Sequence, residues 1–188
     1  MQSSLKGKAI GTSMLNLKFF TTTPQDCYKV GSSIIVGKFL TPWGTVYVGI
    51  SAGCVCSLTF LEPPFALAES QLDNSAVQPY WEAIWNQWAQ SQSLGFPFPL
   101  LLKGTDFRQT VWKGLLQIPR GTTVSYQAFA EQVGYPTAVR AVATAVGKNP
   151  ISFFIPCHRV ISKTGNIGKY RWGPALKKQL LEAESSPL

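Results

Sequence analysis

The stretch SYQAFAEQVGYPTAVRAVATAVGKN, residues 125–149, sets the architecture of the second half of the chain. Apolar residues recur at helical spacing on both sides of a central GYP, and we predict two short helices over about 126–133 and 137–147. The glycine can end the first helix, and the proline restricts the backbone that leads into the second. This spacing is typical of a helix-turn-helix motif.

The second of these helices carries unusually small side chains. They are Ala138, Ala141, Ala143, Thr144 and Ala145. A helix with so little side-chain bulk can approach a nucleic-acid surface closely, but small residues also suit tight packing between helices. The motif alone therefore leaves both interpretations open.

A further helix precedes the motif in the segment FRQTVWKGLLQI, residues 107–118. Asp106 and Gln109 have capping-box spacing at its start, and Pro119 ends it. Its predicted apolar stripe consists of Phe107, Val111 and Leu115. The second half of the chain is therefore expected to be mainly helical.

The first half has a different pattern. Residues 38–60 predict two or three short strands, separated by turns at PWG and SAG. Residues 79–90 predict a helix whose tryptophans face the core; these are Trp81, Trp85 and Trp88. The segment SQSLGFPFPLLLKG, residues 91–104, has no period and two prolines, which predicts a linker. We therefore expect two domains, over residues 1–94 and 95–188, with a disordered tail at 1–12.

Composition is typical of a globular cytoplasmic protein. The 188 residues are 45% hydrophobic and 14% charged, which is ample for a packed core. No apolar run reaches the ~20 residues of a membrane span, and the first residues lack the apolar block of a secretory signal. The four cysteines are sparse, so we expect reduced thiols rather than a disulfide framework. They are Cys27, Cys54, Cys56 and Cys157.

The net charge of +8 lies entirely in the second half of the chain. Residues 1–94 contain five lysines and five acidic residues, whereas residues 95–188 contain twelve basic and four acidic residues. This excess favours a polyanion-binding surface in the second half. A solvated basic face that only maintains solubility is the alternative, and charge alone does not separate the two.

The segment FFIPCHRVIS, residues 153–162, places Cys157 beside the only histidine of the chain. A cysteine between apolar residues is usually an inert filler. Here a neutral His158 can take the thiol proton, and Arg159 can favour the thiolate. An extended strand would separate Cys157 from His158, so their contact needs a turn or a water molecule. No four-ligand metal spacing is present.

These residues, taken together, carry a family resemblance. The segment IPCHRVI, with GKNP and SYQAFA before it and GKYRWG and a Leu-Leu-x-x-Glu helix after it, resembles the O6-alkylguanine-DNA alkyltransferases, also called methylated-DNA–protein-cysteine methyltransferases. The resemblance covers about residues 105–184 and is loose over the first half. It implies an α/β N-terminal ribonuclease-H-like domain and a mainly α C-terminal helix-turn-helix alkyltransferase domain.

The resemblance also implies roles for individual residues. Cys157 would accept the alkyl group, His158 would deprotonate it through a water molecule, and Glu184 would orient the imidazole. Tyr126 would protonate the departing guanine, and Arg140 would fill the gap in the base stack. Further DNA-binding positions are Gln127, Asn149 and Lys163, with Asn149 bracing the turn before the active site. The base pocket would be walled by Val160, Tyr170, Arg171 and Trp172.

Trp172 is a position at which family members differ, because some of them have glycine there and others share the segment YRWG. The indole would narrow the pocket, unless it packs outward against the helix that begins at Pro174. Neither a zinc-bound cysteine domain nor the structural zinc site of some members has a counterpart in this sequence.

The expected function is single-turnover repair of double-stranded DNA that carries O6-alkylguanine, with O4-alkylthymine as a further substrate. Thiolate attack leaves a stable thioether, so each molecule works once and needs no metal or organic cofactor. We expect a monomer with no obligate protein partner and no membrane association. The alternatives are a non-enzymatic DNA-binding regulator or lesion sensor, and a Cys–His hydrolase of small substrates.

Overall fold

The computed structural model describes residues 17–20, 33–62, 68–89 and 98–185. The strands are β1 (Leu17–Phe20), β2 (Ile35–Thr41), β3 (Gly44–Ser51), β4 (Cys54–Phe60), β5 (Leu100–Lys103), β6 (Val124–Ser125) and β7 (Val160–Ile161). The helices are α1 (Asn74–Ala89), α2 (Asp106–Leu115), α3 (Tyr126–Gln132), α4 (Val139–Gly147) and α5 (Pro174–Ser185). The predicted tail at 1–12 and Cys27 lie outside the described residues.

A five-stranded mixed sheet, in the order β1-β5-β4-β3-β2, organises the first part of the chain. The strands β2, β3 and β4 are antiparallel neighbours, whereas β5 is parallel to both β1 and β4. The SAG turn closes the β3–β4 hairpin with Ala52 and Gly53 at φ 48° and 71°, as a two-residue type I′ turn requires. The predicted strands over residues 38–60 are therefore confirmed.

The helix α1 covers one face of this sheet through its tryptophans. Trp81 and Trp88 are buried, Trp85 is half-buried, and the Trp81 ring stacks on Phe39 at 5.2 Å between centroids. This confirms the predicted core role of the aromatic stripe. The helix begins at Asn74, five residues before the predicted start, with Pro79 in its interior.

The prediction of a linker over residues 91–104 is wrong at its C-terminal end. Leu100–Lys103 form β5, which pairs with β1 along its whole length and contacts β4 at Val55. Burial of Leu100 and Leu102 explains the strand, because alternate residues point into the core. The sheet thus includes residues from both sides of the boundary expected at residue 94.

The start of α2 also differs from the prediction. Thr105, not Asp106, is the N-cap, and its hydroxyl accepts a hydrogen bond from the Arg108 backbone N–H. Gln109 turns inward instead, and its side chain donates to the Gly104 carbonyl at 2.9 Å. The helix is where the pattern placed it, but no capping box forms at Asp106.

The predicted pair of short helices is present as α3 and α4. Gly134 has φ 84° and follows the end of α3, as expected for the residue that ends this helix. The helix α4 packs on α2, where the Trp112 indole N–H donates to the Ala145 carbonyl at 2.9 Å. Ala141 and Thr144 remain exposed on α4. The small residues of α4 therefore allow close helix packing on one side and leave an exposed face with short side chains on the other.

None of the described helices combines the length and the hydropathy that a membrane span requires.

Candidate active site

A 3₁₀ turn, Cys157–Arg159, presents the cysteine and the histidine. The turn removes the objection that an extended strand would send Cys157 and His158 to opposite faces. Both residues are buried, Cys157 at 4% and His158 at 0% relative exposure. A buried thiol and a buried imidazole therefore lie on one turn of backbone.

Asn149 braces the segment that leads into this turn. Its side-chain amide donates to the Ile155 carbonyl at 2.7 Å and to the Cys157 Sγ at 3.1 Å, and its Oδ1 accepts from the Ile151 N–H at 3.0 Å. These bonds agree with the bracing role expected for Asn149. They also correct its grouping with DNA-binding residues, because a side chain only 1% exposed has no surface to offer DNA.

The sheet holds the same segment from the other side. The Leu58 N–H donates to the Pro150 carbonyl, and the Leu58 carbonyl accepts from the Ser152 N–H, at 2.9 and 2.8 Å. Phe153 follows with φ 40°, a strained conformation for a bulky residue. Its ring lies about 6 Å from the rings of Phe60 and Trp88. Core packing against the first part of the chain offsets this strain.

A carboxylate lies directly behind the imidazole. Glu184 of α5 accepts from His158 Nε2 at 2.9 Å, and Arg159 donates to both carboxylate oxygens, at 2.8 and 2.9 Å. Arg159 also donates to the Ile118 carbonyl. The helix α5 thereby brings a residue 26 positions downstream into contact with the histidine.

The charges of this group follow from their surroundings. Burial would raise the pKa of Glu184, but the hydrogen bonds from His158 and Arg159 outweigh it and lower this pKa to about 2. Burial lowers the pKa of His158 despite the neighbouring carboxylate, so the imidazole is neutral at neutral pH. An ionised carboxylate can only accept, which assigns the proton of the imidazole to Nε2.

His158 Nδ1 is then the basic atom of the ring. It is buried and has no hydrogen-bond partner among the described residues. A neutral imidazole with Nε2–H has its free lone pair at Nδ1, so this atom is available to accept a proton.

The thiol requires such a base. Burial raises the pKa of Cys157 above its ordinary value, although the Asn149 and Tyr170 hydrogen bonds and the Lys177 charge act in the opposite direction. The resting side chain is therefore a thiol at neutral pH. The cation that favours the thiolate is Lys177, whereas Arg159, which we expected in this role, binds Glu184.

Lys177 lines the groove beside Cys157, and the sequence reasoning missed it. Its side chain is fully buried, its Nζ donates to the Val160 carbonyl at 2.6 Å, and its ammonium lies about 6 Å from the Tyr126 and Tyr170 rings. Burial lowers its pKa to about 8. A signal was present in the sequence, because Lys177 precedes Glu184 by seven residues and so lies on the same face of α5.

A groove of about 910 Å³ opens onto the thiol. Cys157, Lys177 and five further residues expected at the site line it; these five are Tyr126, Asn149, Tyr170, Arg171 and Trp172. Trp172 contacts the rings of Phe60 and Tyr170 edge-on, at 6.0 and 5.3 Å. Val160, expected in the pocket wall, is not among the lining residues; its side chain is buried in the core and its carbonyl accepts from Lys177.

The remaining expected DNA contacts lie on the surface. Arg140 is exposed near the start of α4, and Lys163 is exposed in the turn after β7. Gln127 is exposed on α3, where its amide donates to Glu131 and to the Pro136 carbonyl. None of these three residues is among those that line the groove.

Two further thiols lie in β4. The thiols of Cys54 and Cys56 donate to the carbonyls of Ala52 and Gly49. In the described part of the chain, no group of three or more His, Cys, Asp or Glu residues is arranged to hold a metal ion.

Comparison with known proteins gives concordant results. A family model described as "6-O-methylguanine DNA methyltransferase, DNA binding domain" matches residues 106–186. "Regulatory protein ada" of Salmonella typhimurium is 37% identical over 174 residues, which are 87% of this chain and 49% of that protein. The "Probable methylated-DNA--protein-cysteine methyltransferase" of Acanthamoeba polyphaga mimivirus is 41% identical over 116 residues, 60% of this chain and 77% of that protein.

A solved structure matches at the level of the fold as well. Mycobacterium tuberculosis OGT in complex with DNA superposes with a TM-score of 0.69 at 36% identity, covering 80% of this chain and 92% of that one. The chain spans about half the length of the Salmonella relative and of several other curated relatives. The sequence match, the mixed sheet with five described helices and the Cys–His–Glu group agree, and the chain belongs to the O6-alkylguanine-DNA alkyltransferase family.

Proposed function

We propose that this protein repairs DNA by transferring the alkyl group of O6-alkylguanine to Cys157, in a single turnover and without a cofactor. The observation that carries the proposal is the buried Cys157 thiol, which lines an open groove and shares a turn with the His158–Glu184 pair. The "Methylated-DNA--protein-cysteine methyltransferase" names of its relatives support the same reaction.

His158 Nδ1 takes the thiol proton through an intervening water molecule, while Glu184 holds the Nε2 proton and stabilises the imidazolium that forms. Lys177 stabilises the sulfur as it becomes charged. The thiolate then attacks the alkyl carbon, so that a carbon–sulfur bond forms as the carbon–O6 bond breaks. The electron pair of the broken bond passes to guanine, which takes a proton from Tyr126.

The alkyl group of a stacked guanine is out of reach of a buried thiol, so the nucleotide must be flipped into the groove at a cost of a few kcal/mol. We assign α4 to the minor groove, where its low surface permits close approach, and Arg140 to the vacancy in the base stack. Gln127 and Lys163 contact the flanking backbone. The substrate is double-stranded DNA, with O4-alkylthymine as a second lesion, and the protein acts as a cytoplasmic monomer.

The proposal includes the finer description of the fold. The sheet with α1 forms a ribonuclease-H-like domain, and the segment from α2 to α5 forms the helix-turn-helix catalytic domain. Since β5 belongs to the sheet, we place the boundary between the two domains after Lys103 rather than at residue 94.

Duplex DNA with a labelled O6-methyl group tests the proposal. We expect label on protein to saturate near one methyl per molecule at Cys157, because a thioether is not hydrolysed. Cys157→Ser should bind the DNA and transfer nothing. Label left on DNA would indicate a regulator or sensor, and a water-soluble labelled product would indicate a hydrolase. Repeated turnover, or label on Cys27, Cys54 or Cys56, would also contradict the mechanism.

A further inference from the structure

The groove at Cys157 is larger than the reaction needs. Its volume of about 910 Å³ lies near the top of the ~300–1,000 Å³ range of pockets that enclose whole drug-sized ligands. One purine base with a methyl group therefore leaves much of the groove free.

Three of the cations that line the groove come from separate elements of the fold. Lys103 is the last residue of β5, Arg108 lies in the first turn of α2, and Lys148 directly follows α4. We name these three residues the basic arm. Ser57 and Thr59 of β4 line the groove as well, so it reaches the sheet.

The positive charge of the basic arm is uncompensated. Its three side chains make no hydrogen bond or ion pair with the described residues, and no Asp or Glu is among the residues that line the groove. The nearest acid along the chain, Asp106, is exposed at the start of α2 and does not line the groove. Cations that line one groove without partners repel each other, and a bound anion removes that cost.

The position of Lys148 indicates which kind of anion the basic arm binds. The exposed residues of α4 and its C-terminal end form one continuous face: Arg140, Ala141, Thr144, Gly147 and Lys148. Lys148 thus belongs both to the face that we assign to DNA and to the groove. A phosphate backbone that follows α4 to its C-terminal end therefore meets the basic arm next.

We propose that the basic arm binds the phosphate backbone of the lesion-bearing strand on one side of the flipped nucleotide. The inference rests on the proposed function and adds a role for the sheet-containing part of the chain. Through Lys103 this part contributes directly to DNA binding, beyond its support of the active-site turn.

The salt dependence of duplex binding tests the proposal. Each phosphate contact contributes about one to the slope of log K against log salt concentration. We expect Lys103→Ala, Arg108→Ala and Lys148→Ala each to lower the slope by about one for any duplex sequence, and the triple variant by about three. Lys178→Ala is the charge-matched control, because Lys178 is exposed on α5, pairs with Glu182 and does not line the groove.

DNA length supplies a second readout. Duplexes are shortened to one nucleotide on the 5′ or on the 3′ side of the lesion. We expect the native protein to lose affinity when the duplex is shortened on one side of the lesion only. The affinity of the triple variant should not change when that side is shortened. A control slope that falls as much as those of the single variants would overturn the proposal, since net charge would then be the cause. Equal sensitivity to both sides would overturn it too.

Transfer from the free base O6-methylguanine separates this inference from the proposed function. We expect the triple variant to methylate Cys157 from the free base at the native rate, which also shows that it is folded. If the triple variant transferred methyl at the native rate and its salt slope were unchanged, the proposed phosphate binding by the basic arm would be overturned and the repair function would stand. If the triple variant instead lost methyl transfer only from O6-methyl-dGTP while its duplex binding was unchanged, the three cations would bind a mononucleotide. That result would overturn the proposal.

Discussion

At Cys157 burial and reactivity oppose each other. Burial raises the pKa of the thiol, and the groups that lower it do not fully offset this effect. The reactive thiolate is therefore scarce at neutral pH unless a base removes the proton during the reaction. In the proposed mechanism His158 is this base, because its lowered pKa keeps Nδ1 unprotonated.

Glu184→Gln tests this relay. Loss of the carboxylate removes the group that stabilises the imidazolium, so we expect methyl transfer at pH 7 to slow by about a hundredfold or more, with DNA affinity within about twofold. Because a thiol with a raised pKa ionises directly as pH rises, the deficit should shrink above about pH 9. Single-turnover rates between pH 6 and 10 measure both effects. A deficit that is constant with pH would contradict the relay.

Trp172 belongs to the wall of the groove in the structure, where it contacts Phe60 and Tyr170. We expect Trp172→Gly to raise the rate with O6-benzylguanine relative to O6-methylguanine, because removal of the indole leaves room beside the alkyl group. Trp172→Phe is the control that keeps an aromatic wall. An unchanged benzyl-to-methyl ratio would place size selection elsewhere, for example at Tyr170.

At the scale of the elements, α4 has to combine two tasks. Its buried face, with Val142, Ala145 and Val146, packs against α2 and α3, while its exposed face is low enough for close contact with a surface. Because the opposite face of α4 is packed, Arg140 points outward from the first turn of this helix and does not contribute to the core.

Arg140→Ala therefore tests the function of α4 rather than its stability. We expect repair of duplex DNA to slow at least tenfold, because the vacancy left by the flipped base stays unfilled. Transfer from free O6-methylguanine should be unchanged, since no stack is involved. Both rates are measured on the same preparation, and an equal loss on the two substrates would identify Arg140 as a structural residue.

At the scale of the whole molecule, the two parts of the chain share the active-site segment. The Leu58 backbone holds Pro150 and Ser152 from the sheet, and Phe153 packs its ring among the aromatic residues of the first part. Arg120 links the far ends of two helices, with bonds to the carbonyls of Trp88 in α1 and Ala183 in α5.

Arg120→Ala breaks this link. It leaves two carbonyls without their charged donor and removes the cation–π contact 4.5 Å above the Trp88 ring. We expect a loss of about 2–4 kcal/mol in the free energy of unfolding, measured with urea. Since Ala183 precedes Glu184, transfer should also slow. Arg120→Lys retains the charge but cannot reach both carbonyls, so recovery of full stability in it would contradict the bridging role.

Local sequence carried a large part of this structure. The helices α1 to α4 follow largely from the helical spacing of their apolar residues, and the β3–β4 hairpin follows from its SAG turn; both signals act over a few residues. Cys157, His158 and Glu184 were recognised because their segments resemble those of a family, and the structure brings His158 and Glu184 together.

Other features depended on contacts between residues far apart in the chain. Leu100–Lys103 became a strand only because β1 and β4 offered it partners. Lys177 joins the site because α5 brings its Nζ to the Val160 carbonyl. Asn149 was expected both to brace the turn and to bind DNA, and its burial against the Ile155 carbonyl leaves it only the first role. Burial, hydrogen bonds and neighbouring charges shift the pKa values of Cys157, His158 and Glu184, and none of these influences exists before the chain has folded.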